Sequence, residues 1–333
     1  MDFVVNATII CLICRRKRKG MIEISRYTSN EAQGWDDFVR QSKNATFLFL
    51  RQYMDYHSDR FDDYSLIARH AGKIVAVLPA NRDGDMLKSH GGLTYGGWLM
   101  PLKHFDVTVM MEVMDAAVAF LKAQGIEEII YKAVPHIYHS YAAEEDLYAI
   151  FRHGATLIES NISTAIPLDG PLAFDRGNKS GLNIALKEGV KVAESDDFAA
   201  YWKILDTLLE SRYDTQPVHS LEEIELLHSR FPKNIRLTVA TIDGEIVAGV
   251  VLFVTQQVAH CQYIAASPEG KAKKALTAVF DHIIKEATAK GLKWVDFGTS
   301  NEDHGRILNE GLVQQKARIG GRGIVYNTYK ITL

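Results

Sequence analysis

Three pairs of glycines, each pair set in similar surroundings, divide this chain of 333 residues into two copies of one plan. The stretch FLKAQGIEEIIYKAV around Gly125 returns as IKEATAKGLKWVDFGTS around Gly291, 166 residues later, and Gly154 stands to Gly320 at the same interval. Upstream, Gly72 in ARHAGKIVAVLPA corresponds to Gly244 in ATIDGEIVAGVVL, 172 residues on, so one loop differs in length between the copies. Solenoid repeats run to roughly 20–50 residues. A period this long is a duplicated α/β domain, and the chain length suits about two domains.

The formal net charge of −3 is unevenly spread. Arg15, Arg16, Lys17, Arg18 and Lys19 form one basic run, and the chain from Met21 onward carries about −7. So acidic a body argues against DNA as a partner, while leaving room for a local basic groove. Cys11 and Cys14 share a CxxC and Cys261 stands alone. These are too few for a disulfide framework or for the roughly four ligands of a structural zinc. No metal is expected, and reduced thiols suit a cytoplasmic protein. The apolar stretch from Phe3 to Cys14 is shorter than the roughly 20 residues of a membrane span. Its basic residues follow it, the reverse of a signal peptide. Residues 1–20 therefore read as a dispensable leader, disordered or upstream of a natural start at Met21.

Hydrophobic periodicity orders the elements. The first copy is expected to open with a helix from Trp35, followed by short strands at 64–70, 73–81 and 86–90. A helix with Val107, Met110, Met114, Ala117 and Leu121 on one face comes next, its methionines being core packing. A strand at 128–134, a short helix at 146–153 and a closing strand at 163–168 complete the copy. The second copy is expected to have helices at 198–211 and 221–231, strands at 237–242, 245–254 and 258–266, and a helix with Leu276, Val279, Phe280, Ile283 and Ala287 on one face. A strand at 294–298, a short helix at 305–316 and a last strand at 324–331 end it. Gly, Pro and polar residues cluster at 169–178, which places the join there and the domains at 21–168 and 169–333.

Helices, a three-stranded meander, a long crossover helix, a strand, a helix and a strand resemble the order of the GNAT acyltransferase fold. Two such units in tandem resemble its FemABX-like branch. The most specific stretch is VDFGTSNEDHGRILNEGLVQQKARIGG, Val295 to Gly321, which is similar to the family's strand ending in Asp-Phe-Gly and its later Gly-Leu segment with a lysine. SHGGLTYGGW, Ser89 to Trp98, is similar to the family's Gly/Tyr-rich loop. The resemblance covers residues 21–333 and implies an α/β chain with mixed sheets, built as two tandem GNAT-like acyl-CoA N-acyltransferase domains. One departure lies in DRGNKSGLNIALKEGV, where Ser180 stands nearest the usual arginine. That argues against a large phosphate-bearing acceptor such as a nucleotide-linked sugar peptide.

Acyl transfer requires a held donor, a neutral amine, a stabilised oxyanion and a leaving group that is protonated or tolerated. ASPEGKAKKAL follows a strand and opens a helix, and free N–H groups at a helix start suit a pyrophosphate. Ser267, Gly270 and Ala272 fall at the spacings of the superfamily's phosphate loop, with Ser in place of its Gln or Arg, and Lys271, Lys273 and Lys274 add charge. The resemblance implies an oxyanion-binding N–H near Ile264 or Ala265, where two parallel strands splay. Asp296 is the candidate base and Glu302 its runner-up, with Tyr263 also facing the cleft. Lys316 aligns with the family's lysine and would stabilise the oxyanion or hold phosphate. Strict alternation puts His260 and Gln262 on one face of their strand, Cys261 and Tyr263 on the other. Arg212 and Tyr213 would grip the acceptor, with Tyr95, Gly96 and His260 as further contacts. PHIYHSY, 135–141, could border the inter-domain cleft, and His219 precedes a capping-box helix start.

The first half has no glycine-rich helix opening, so the second domain is expected to hold the donor and the first to serve as a substrate platform. The expected activity is transfer of an acetyl group from acetyl-CoA to a primary amine of a small molecule, amino sugar or cell-envelope precursor. Two alternatives stand beside it: aminoacyl transfer from tRNA, as in peptidoglycan-bridge relatives, and a non-catalytic binding protein that kept the fold.

Overall fold

The computed structural model describes residues 21–213 and 215–333, Arg212 and Tyr213 by their backbone alone; the leader with Cys11 and Cys14 lies outside the described residues. In chain order the first unit comprises β1 (Ile22–Arg26), α1 (Ala32–Gln41), α2 (Arg51–Met54), β2 (Asp62–Asp63), β3 (Leu66–His70), β4 (Lys73–Leu78), β5 (Asn81–Asp83), β6 (Met86–Lys88), α3 (Val107–Ala123), β7 (Glu128–Lys132), α4 (Glu145–Arg152) and β8 (Thr156–Pro167). The second comprises α5 (Arg176–Lys187), β9 (Lys191–Ser195), α6 (Phe198–Tyr213), α7 (Leu221–Arg230), β10 (Ile235–Ile242), β11 (Glu245–Val254), β12 (Val258–Ala266), α8 (Pro268–Ala272), α9 (Ala275–Ala289), β13 (Trp294–Thr299), β14 (Asn301–Glu302), β15 (Ile307–Leu308), α10 (Glu310–Arg318) and β16 (Arg322–Thr332).

The repeated glycines are there for their backbone. Gly125 and Gly291 follow the long helices α3 and α9 at φ 71° and 75°, and Gly72 and Gly244 turn between strands at 75° and 93°. Other residues adopt this left-handed region only with strain, so both copies keep glycine at these stops.

Two elements at the join differ from expectation. Residues 176–187 form α5, started by Asp175, whose carboxylate accepts from the Asn178 N–H at 2.7 Å. The expected join at 169–178 overlaps its first turn, and Gly181 is where it packs closely on Lys274 and Thr277. β9 is a largely exposed edge strand, so it lacks an alternating apolar signal.

Among the described residues one sheet holds eleven strands in the order β2-β5-β6-β7-β16-β8-β13-β12-β11-β10-β9, and β1, β3 and β4 form a separate sheet. This order contains an exchange. β16, the last strand of the second unit, lies between β7 and β8 of the first, and β8 pairs in turn with β13 of the second. A boundary at 168/169 therefore divides the chain but not the sheet. One apolar core fills each unit, and a third spans both, with Phe47 and Tyr53 packed on Phe231 and Phe253. Residues 21–168 made alone would leave β7 and β8 without the strand between them. They are expected to show no cooperative thermal transition by circular dichroism until residues 169–333 are added; a sharp melt of 21–168 by itself would contradict the exchange.

Candidate active site

β12 and β13 run parallel only from Val258↔Trp294 to His260↔Asp296 and then splay. The gap opens a cleft of about 480 Å³ between the two strands, α6, α9 and α10. Ile264 and Ala265 line it, as do Gln262, Lys271 and Lys316. Every residue lining this cleft belongs to the second unit. In the first unit the corresponding gap beyond β6 and β7 is closed: the Gly96 N–H donates to the Lys132 carbonyl at 2.9 Å, and the Ser89 N–H to that of Ile130 at 2.9 Å.

At the base of the splay Asp296 is fully buried. Its carboxylate accepts from Tyr138 Oη at 2.7 Å, His260 Nδ1 at 2.9 Å and the Gly298 N–H at 3.1 Å, and also from the Ser163 and Tyr326 hydroxyls. Burial alone would raise its pKa, but the donors, His260 first among them, outweigh burial and hold the carboxyl well below the usual range. Such a group is a fixed anion rather than a proton acceptor. With Nδ1 donating to Asp296, His260 keeps Nε2 as its acceptor, close to Gly298; the residue borders the narrow gap beside Tyr95 and Tyr138 and not the cleft itself, with Gln262 lining both. The arrangement is an oriented histidine.

The strand exchange builds this cluster. Ser163 comes from β8 and Tyr138 follows β7, both in the first unit, while His260, Asp296 and Tyr326 belong to the second. The duplication leaves the histidine–aspartate pair in one copy only. Lys88 pairs with Ile130 in β6 and β7 as His260 pairs with Asp296 in β12 and β13, at the same intervals of 172 and 166 that relate the glycines.

Lys316 is buried beside the cleft, its ammonium donating to Gly298 O at 2.8 Å, Thr299 O at 3.0 Å and Ser300 Oγ at 2.9 Å. Burial lowers its pKa to about 8.

Several candidates sit elsewhere than expected. A bulge lets Val251 pair with Tyr263 while Leu252 pairs with Cys261, so alternation along β12 inverts at Gln262. Tyr263 therefore leaves the face of Cys261 and bonds Nδ1 of His219 at 2.6 Å, away from the cleft, with its pKa raised by burial to about 12. Glu302 is exposed on β14, within 3.5 Å of Asn309, and does not line the cleft. Tyr95 is buried against Tyr138 at 4.6 Å between ring centres, sealed from the cleft. Gly96 is a packing glycine, since a Cβ there would lie 2.0 Å from the Ser89 carbonyl oxygen. Tyr95, Asp296 and Lys316 thus do not share one groove. The side chains of Arg212 and Tyr213 lie outside the described residues.

The expected phosphate loop is closed on itself. Residues 268–272 form the separate short helix α8, and α9 begins only after Lys274 turns left-handed at φ 56°. Ser267 Oγ accepts from the Gly270 N–H at 3.1 Å, and Lys273 pairs with Glu269 and Glu188. A Cβ on Gly270 would lie 2.2 Å from the Val247 carbonyl oxygen, so this glycine serves packing rather than ligand approach. Gly270→Ala is expected to cost about 1–3 kcal/mol in chemical denaturation; an unchanged midpoint would show that the loop gives way. Ala272 and Lys274 are exposed, and Lys271 reaches the cleft mouth. These residues do not fit a pyrophosphate cradle.

Histidines from both units stack together around Tyr56. His57 lies on Tyr56 at 4.3 Å, Tyr56 on His219 at 5.7 Å, and His57 against His90 at 5.2 Å. Burial lowers His57, takes His90 to about 3, and takes His219 to about 4. Folded-state values below the unfolded one mean that the unfolded chain binds protons first as pH falls. Stability should decline from about pH 6.5 toward 4, by up to roughly 1.4 kcal/mol per pH unit for each histidine. Denaturation midpoints unchanged between pH 7 and 5 would contradict this.

The comparisons agree with the geometry. Residues 182–306 match the family model described as Acetyltransferase (GNAT) domain. The solved structure of FemX superposes with a TM-score of 0.68 at 14% identity, over 93% of this chain and 97% of that one. The C-terminal domain of a putative lysylphosphatidylglycerol synthetase from Agrobacterium fabrum gives 0.60 at 12%, over 91% and 92%. L-PGS from Bacillus licheniformis gives 0.58 at 11%, over 91% of each chain. The search of curated proteins found no match. The GNAT match lies within the second unit, and the chain as a whole has the fold of FemX and of the two synthetase structures. Among the described residues no helix is long and apolar enough to cross a membrane, and no group of three His, Cys, Asp or Glu is placed to hold a metal.

Proposed function

We propose that the chain transfers an aminoacyl group from tRNA to a primary amine. The observation that carries this reading is the contrast between the closed α8 segment and the open cleft beside it. The expected pyrophosphate site has its glycine wedged on Val247 and its N–H capped by Ser267. The cleft that would take an acyl carbonyl remains. Two neighbours of the same fold carry a name, lysylphosphatidylglycerol synthetase or L-PGS, that in the first denotes an aminoacylated product. Against the acidic body, Lys274 packs its stem on Gly181 of α5, the helix that also carries Arg176 and Lys179, while Lys271 lines the cleft, so cations that a carrier's phosphates could meet lie near the site.

In this reading the amine nitrogen attacks the ester carbonyl carbon at the splay. Backbone N–H groups near Ile264 and Ala265 hold the oxyanion. His260 Nε2, oriented by Asp296, accepts the amine's proton. Lys316, near pKa 8, gives a proton to the departing ribose oxygen. Amide and free hydroxyl result, with His260 left protonated and Lys316 neutral; His260 gives its proton to solvent and Lys316 takes one back, which restores the enzyme. A second reading, transfer from an acyl-CoA to an amine, is favoured by the description of the matched family model. Calorimetric titration with acetyl-CoA, set against filter retention of charged tRNA at physiological salt, separates them. Retention of tRNA with no heat from acetyl-CoA is expected; micromolar acetyl-CoA binding without retention would reverse the assignment.

A further inference from the structure

The lining of the cleft is uneven in chemistry. Much of it is apolar: Ile264 from β12, Leu276 and Phe280 from α9, Phe297 from β13, Leu312 from α10 and Ile319 just beyond it. Phe280 and Phe297 meet edge to face with ring centres 5.1 Å apart, giving a rigid aromatic floor. The charged groups on it are Lys271 and Lys316, both cations, and no described residue lining it is an Asp or Glu. A cationic side chain placed here would meet two like charges and find no counter-ion, at a steep desolvation cost. A single methyl group would cover little of these apolar walls, whereas each further buried methylene gains about 0.8 kcal/mol.

We propose that this cleft selects a bulky, uncharged apolar acyl group, of leucyl or phenylalanyl size, and rejects both acetyl-sized and cationic ones. The proposal rests on reading the splay as the place of the reacting carbonyl. It does not depend on which carrier delivers the acyl group. The carbonyl sits by Ile264 and Ala265, the side chain extends over Phe280 and Phe297, and the carrier leaves past Lys271, whose charge suits a phosphate.

The test uses simple amides that mimic the acyl portion without a carrier. Saturation-transfer NMR on the full chain would measure binding of 4-methylpentanamide, acetamide and 6-aminohexanamide. The apolar amide is expected to bind at least tenfold more tightly than either of the others, as burial of several methylenes requires. Leu312→Asp places a carboxylate in the lining and should reduce that preference at least tenfold. Gln315→Glu, at an exposed lining position, does the same at less risk to the fold. Equal or tighter binding of the cationic amide, or an apolar preference untouched by both substitutions, would overturn the proposal. Failure of charged tRNA to be retained would count against the aminoacyl reading and leave the amide result standing.

Discussion

Asp296→Ala should cost on the order of 3–5 kcal/mol of folding stability, the largest single effect expected in this chain. The substitution leaves the Ser163, Tyr138 and Tyr326 hydroxyls, the His260 ring and the Gly298 N–H without their common acceptor, all but the last from side chains gathered by the strand exchange. A buried donor without a partner carries its full desolvation penalty. Asp296→Asn keeps the shape but turns an amide donor toward hydroxyl donors, so it too should lose stability, by less than alanine. A carboxylate acting as an isolated base would instead lose turnover while keeping its melting temperature. Urea denaturation of the two variants measures the difference. An Asp296→Ala midpoint close to that of the parent chain would mean that the cluster holds nothing together.

The second large effect is on rate. His260→Gln is expected to lower turnover about 10²–10⁴-fold, the usual contribution of a positioned general base. Its effect on stability should be small, since a glutamine amide can still donate to Asp296 and the residue lies at the edge of the buried cluster. Loss of turnover with a melting temperature within a few degrees of the parent would separate His260, the group that handles the proton, from Asp296, the group that positions it. Equal turnover in the two proteins would leave an ordered water as the base.

Local physics made the two units legible. A glycine forced to positive φ at a helix stop, or a helix face spaced at three and four residues, is written within a few positions, and the intervals of 166 and 172 follow from such marks. The exchange of β8 and β16 leaves no such mark. An apolar strand reads the same whichever neighbour it pairs with, and β16 finds β7 nearly 200 residues upstream. Tyr326 and Ser163 carry no sequence signal for the same reason, because nothing near them in sequence shows that they face Asp296. Asp296 and Lys316 could be singled out from the Asp-Phe-Gly strand and the lysine beyond it. One inserted residue in β12 turns Tyr263 away from the face that strict alternation gives it, since a bulge reverses every face after it. Gly270 was legible as a special position, but close backbone packing and ligand approach both demand glycine, and only the Val247 carbonyl decides between them.

A single-turnover experiment addresses the central claim most directly. The full chain, in excess over tRNA carrying a radiolabelled leucyl group, is mixed with a primary amine, and label passing from tRNA to amide is followed in time. The account predicts amide formation by the parent chain, slowed at least a hundredfold in His260→Gln while tRNA is still retained. Label that stays on the tRNA with the parent chain, or that leaves equally fast with His260→Gln, would contradict it.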